Sequence, residues 1–108
     1  MDYIRARIAF AVYTEHALQK VLERNIDPAI IKEAVSSPDA EIIEDYSNDP
    51  RGTSYLLLGW WDERQPLHVV VGVEEGSPLA IITAYDPSID AKRRWQSNFK
   101  KRRQSRRN

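Results

Sequence analysis

PLHVVVGVEEGSPLAIITAYDP, residues 66–87, decides the fold. Val69, Val70, Val71, Val73, Ile81, Ile82 and Thr83 are β-branched and suit a pleated, half-buried surface. No proline interrupts either half, and Glu75-Gly76-Ser77-Pro78 is turn chemistry. The stretch therefore predicts two antiparallel strands, 66–74 and 79–85, joined by a tight turn. His68 and Tyr85 fall at the end of this hairpin away from the turn.

Working outward, SYLLLGWW (54–61) predicts a preceding strand, with Asp62-Glu63-Arg64-Gln65 turning the chain into the hairpin. If four residues separate the strands at each turn, Gly59 lies opposite His68, and His68 opposite Tyr85. Opposed side chains share a face of the sheet. One face then collects Leu56, Leu58, Trp60, Leu67, Val69, Val71, Val73, Ala80, Ile82 and Ala84, a core for helices to cover. The other collects Tyr55, Leu57, Gly59, Trp61, His68, Val70, Gly72, Ile81, Thr83 and Tyr85. A one-residue change in either loop exchanges the faces.

Further out, YIRARIAFAV (3–12) alternates Ile4, Ala6, Ile8 and Phe10 with arginines and reads as a strand. Thr14 is an N-cap, with Glu15 in the first turn of a helix over about 14–25. That helix is expected to bury Ala17, Leu18, Val21 and Leu22 and to expose His16, Gln19, Lys20 and Glu23. Asp27-Pro28 opens a second helix to about residue 37, which stops before Pro38. AEIIEDY (40–46) is a short acidic strand suited to a sheet edge. After Asp86-Pro87, Ser88 or Asp90 can cap a short helix to about Lys101 carrying Trp95 and Phe99. The fold class is thus α+β: two N-terminal helices on a small antiparallel sheet, followed by a short basic C-terminal helix or tail. Residues 1–99 are expected to form one domain and 100–108 a basic, disordered tail.

The 108 residues carry sixteen basic and sixteen acidic side chains, and the balance conceals a split. Lys92, Arg93, Arg94, Lys100, Lys101, Arg102, Arg103, Arg106 and Arg107 place nine positive charges in residues 92–108 with no acid. Residues 1–91 hold the other seven cations against all sixteen carboxylates, 7 − 16 = −9. Such a tail binds nucleic acid or an acidic partner, or is simply solvated. No cysteine is present, which excludes disulfides and thiolate chemistry. No stretch is long or apolar enough to span a bilayer and the start lacks a signal peptide's apolar run, so a cytoplasmic protein without membrane association is expected.

His68, flanked by Tyr85, reads either as a general acid or base in an aromatic groove or as a structural histidine. His16 sits in a first helical turn, where the dipole disfavours the imidazolium, and is otherwise a surface residue. Arg24 can steady a phosphate or pair with an acidic neighbour. Trp95, among Arg93, Arg94 and Lys100, can stack on a base or anchor a terminal helix. No phosphate-binding glycine loop, nucleophile elbow or acidic metal cluster occurs, so neither metal nor cofactor is expected. RNA cleavage suits His, Tyr and Arg because the 2′-hydroxyl supplies the nucleophile.

His16-Ala17-Leu18, Arg24 before Asn25-Ile26, Leu67-His68-Val69-Val70 and Thr83-Ala84-Tyr85-Asp86-Pro87 together resemble the domain-of-unknown-function 4258 family over residues 12–100. At Asn25 a glycine is more usual, and Asn tolerates the same left-handed backbone. In size and order of elements the chain is similar to the BrnT and RelE-type ribonuclease toxins of toxin–antitoxin pairs. The family name implies a fold more than an activity. The likeness to those toxins implies, at the level of fold, a ribonuclease with a basic RNA-facing surface and a cognate antitoxin protein as partner. On that reading the residues themselves offer a metal-independent endoribonuclease with His68, His16, Tyr85 and Arg24 as catalytic groups and Arg93, Arg94, Trp95, Lys100, Lys101, Arg102 and Arg103 as RNA-binding groups. The alternatives are a non-catalytic RNA-binding adaptor and an interaction protein whose exposed sheet face pairs with a second copy or another partner.

Overall fold

A computed structural model describes residues 1–62 and 65–87. The elements run α1 (Asp2–Arg7), a 3-10 turn (Ile8–Phe10), β1 (Val12–Tyr13), α2 (Glu15–Glu23), α3 (Pro28–Ser36), β2 (Glu41–Asp45), β3 (Thr53–Asp62), β4 (Gln65–Val73) and β5 (Ala80–Tyr85). The strands form one sheet in the order β1-β5-β4-β3-β2. It is an α+β fold on a mixed sheet. The pairs β2–β3, β3–β4 and β4–β5 are antiparallel, while β1 adds a two-residue parallel edge beside β5. The helix expected from residue 88 and the tail expected to be disordered both lie outside the described residues.

Both helix starts follow from their caps. Thr14 Oγ1 accepts from Ala17 N at 3.0 Å, and Asp27 Oδ1 accepts from Ala29 N at 2.9 Å with Pro28 at the first helical position. Asn25 takes φ 58°, the left-handed conformation that ends α2. The strand expected at 3–12 is instead mostly helical. Of its four alternating apolar residues only Ile4 and Ile8 are buried, and four residues is the spacing of one helix face. Asp2 in the first turn and Arg5 in the last complement the helix ends, and Phe10 is left 80% exposed. The expected face of α2 is narrower too: Ala17 and Val21 are fully buried, while Leu18 and Leu22 stay 40% and 57% exposed.

The sheet corrects the sorting of faces on β3. Pro66 pairs with Trp60 rather than Trp61, and His68 with Leu58 rather than Gly59, because the register shifts between Trp60 and Asp62. Trp61 is the extra residue of a bulge. One residue of slip turns β3 over, so Leu57, not Leu58, joins Leu67, Val69 and Val71 in the core beneath the helices. Gly59 shows which face α3 covers: a Cβ there would lie 2.6 Å from the Ala34 carbonyl oxygen. The close approach expected of a strand glycine is therefore made by α3. Leu58 and Trp60 pack with Ile43 on the opposite face.

A second shift separates Val70↔Thr83 from Val71↔Ile81. It returns Ile81 to the core and leaves Ile82 outside, 39% exposed, reversing their expected places. Below that bulge the expected register stands. His68 pairs with Tyr85 and Val70 with Thr83, and His68 lies between Leu67 and Val69 of the core, hence on the face away from the helices.

Candidate functional site at the end of β5

Two elements bring the site together. β4 carries His68 and β5 carries Tyr85 directly opposite it. The imidazole Nδ1 lies 3.3 Å from the Tyr85 hydroxyl, and the rings meet edge to face with centroids 5.3 Å apart. An edge-on aromatic pair in a sheet holds both rings in one orientation. His68 is fully buried, with Tyr85 of β5 and Leu58 of β3 as its cross-strand neighbours. Burial removes the water that would solvate an imidazolium and takes the His68 pKa down to about 4, with the charge of Asp86 opposing the shift. At neutral pH the ring is uncharged. It can exchange a hydrogen bond with the phenol, and it lies out of reach of solvent.

Arg24 arrives from the C-terminal end of α2. Its Nη1 donates to Thr83 Oγ1 at 3.1 Å and to the Ala84 carbonyl oxygen at 3.0 Å. β1 covers the margin of β5 at Ala80 and Ile81, and the guanidinium takes an acceptor farther along the strand. Arg24 thus ties α2 to the strand that carries Tyr85. Its charge stays half-buried beside the site.

Of the four expected catalytic residues, the fold gathers His68, Tyr85 and Arg24 around residues 83–86. His16 stands apart. It is exposed in the first turn of α2, next to Thr14, whose N–H donates to the Ile81 carbonyl. Eight residues of helix, about 12 Å, separate it from Arg24. Thr83 and Asp86 are the participants that residue types alone did not single out. Their signal was position, on either side of Ala84-Tyr85. Arg93, Arg94, Trp95, Lys100, Lys101, Arg102 and Arg103 fall outside the described residues. Among the described residues, no three His, Asp or Glu side chains gather as a metal ion requires, and no helix is long and apolar enough to cross a membrane.

No curated protein and no solved structure matches this chain. One family model does, over residues 13–86, from the capped start of α2 to the Asp86 beside His68. The match takes in every described element of the site and more than half of the chain. The chain belongs to the family described as a domain of unknown function, DUF4258.

Proposed function

We propose that this protein binds RNA without cleaving it, through its basic C-terminal stretch, and that the His68–Tyr85 pair is a structural fastening of the domain. The observation that carries this reading is the complete burial of a neutral His68, since an acid or base must touch the group it serves. Charge supports it. Residues 39–87 hold two arginines against ten carboxylates, 2 − 10 = −8, and Arg51 is already paired with Asp49 at 2.9 Å. A phosphate backbone is repelled by such a sheet and attracted to residues 92–108, where nine cations accompany Trp95 and Phe99.

The test is anisotropy of a labelled single-stranded RNA, titrated from 50 to 300 mM NaCl, with the RNA then run on a gel. Neutralising five to nine phosphates gives a slope of log K against log salt of roughly −3 to −6, with the RNA intact. A flat slope or no binding at 50 mM defeats the reading.

A second reading is favoured by the convergence of His68, Tyr85 and Arg24: a toxin-like, metal-independent endoribonuclease working by 2′-hydroxyl attack, restrained by an antitoxin. Its mark is RNA cut on that same gel. His68→Gln would then lose roughly 10²-fold or more in rate while folding normally. Growth arrest on induction, relieved by a co-expressed neighbouring gene, is its counterpart in cells.

A further inference from the structure

The helix-free face of the sheet is not covered uniformly. At the β5 C-terminal end, Leu56, Leu58, Trp60, His68 and Tyr85 are buried. Toward the β4–β5 turn the same face opens into a groove of about 870 Å³. Ser54, Val70, Gly72 and Ile82 line it, with Asp49, Glu74 and the Arg51 paired to Asp49 also on its wall. Gly72 contributes no side chain, and the Ile82 bulge brings its Cδ1 to 3.2 Å from where a Cβ would stand. The result is a trough with an apolar floor at Val70, Gly72 and Ile82 and carboxylates at its margin, continued into the turn by Glu75, which is exposed. Arg51 sits against Asp49 but its side chain is 89% exposed, so an incoming cation can displace it.

The occupant this trough fits is an extended, cationic and partly aromatic polypeptide. Residues 92–108 meet that description, with nine cations and no acid facing the −8 of residues 39–87. They are also tethered close by. β5 delivers the chain to Pro87 on the sheet that carries the groove, and Ile82 in its wall lies only three positions before Tyr85. Seventeen residues reach on the order of 55 Å when extended, more than the whole length of the strand. A short tether holds a segment near its site at about millimolar effective concentration, which a free partner rarely matches.

We propose that residues 92–108 dock in cis along this groove, their lysines and arginines against Asp49, Glu74 and Glu75, so that the basic segment is held by its own sheet when no nucleic acid is bound. The proposal does not depend on RNA binding.

The natural chain contains no cysteine, so Ser105→Cys gives a single attachment site for a nitroxide in the full-length protein. Amide signals of Gly52, Thr53, Gly72, Val73 and Glu74 are recorded with the label oxidised and reduced. At 20 mM NaCl these signals should lose at least half their intensity, equally at tenfold lower protein concentration. They should recover in 1 M NaCl, where screening acts over about 3 Å. They should also recover in an Asp49→Asn, Glu74→Gln, Glu75→Gln variant, in which the side-chain amide oxygen at position 49 still accepts from the Arg51 N–H. Unbroadened groove amides at low salt overturn the proposal. Loss that fades on dilution also overturns it, assigning the groove to a second copy, as does loss that the triple variant leaves intact.

Discussion

His68 is a base held where its charged form is unwelcome, and this has a measurable consequence. Its folded pKa of about 4 lies below the ordinary histidine value of 6.5. Between those values the unfolded chain binds a proton that the folded chain refuses, so stability must fall as pH drops through that window and level off below it. The slope is about 1.4 kcal/mol per pH unit, and the whole loss is on the order of 3 kcal/mol. Urea unfolding at pH 7 and pH 5 captures about 2 kcal/mol of it, with the Asp49 carboxylate, held near 2 by Arg51, still ionised. His68→Gln should flatten the difference. If the variant loses as much stability as the parent between those pH values, the titrating group lies elsewhere. The His68–Tyr85 pairing was expected from the sequence, but not for the reason the turn supplied: beside the turn Gly72 pairs with Ala80 rather than Ile81, and only the bulge at Ile82 restores the expected register by Val70 and Thr83. The burial was not expected, since it depends on a β3 face that a bulge turned over.

At the scale of elements, what the sequence hides is the bulge. Alternation in SYLLLGWW (54–61) supports two opposite sortings equally well, since both parities are apolar. The tie was broken by Trp61, which nothing in the residue types marks as extra. The helices and their caps were legible because Thr14 and Asp27-Pro28 act on their own local backbone. The N-terminal segment was not, because Ile4 and Ile8 satisfy strand and helix periods alike. The contact of α3 with β3 yields a comparison of two glycines. A Cβ at Gly59 would meet the Ala34 carbonyl carbon at 2.8 Å as well as its oxygen, and backbone yields only if the helix moves. A Cβ at Gly72 would meet the flexible end of Ile82 at 3.2 Å. Gly59→Ala should therefore destabilise by about 1–3 kcal/mol, lowering Tm by roughly 4–8 °C per kcal/mol, and Gly72→Ala by well under half of that. Equal melting temperatures for the two variants would contradict the face assignment of β3.

Across the whole molecule, charge is partitioned rather than mixed. Residues 1–38 balance at five cations and five carboxylates, residues 39–87 carry −8, and residues 92–108 carry +9. If one basic segment serves both its own acidic sheet and RNA, the two must compete. The apparent affinity for RNA is then the intrinsic affinity scaled by the fraction of segments undocked. Asp49→Asn, Glu74→Gln and Glu75→Gln together release the segment. A segment docked nine-tenths of the time would raise RNA affinity about tenfold on release. Removing three negative charges also strengthens RNA binding by general attraction, so a control is needed. Glu15→Gln, Glu23→Gln and Glu33→Gln make the same change of net charge on exposed positions of α2 and α3, away from the groove. Anisotropy titrations at 50 mM NaCl should show the groove variant gaining several-fold more than the helix variant. The gap should narrow as salt approaches 300 mM, where docking and RNA binding weaken together. Equal gains in the two variants would mean that the sheet repels RNA as a diffuse field without holding the segment, and the competition would be ruled out.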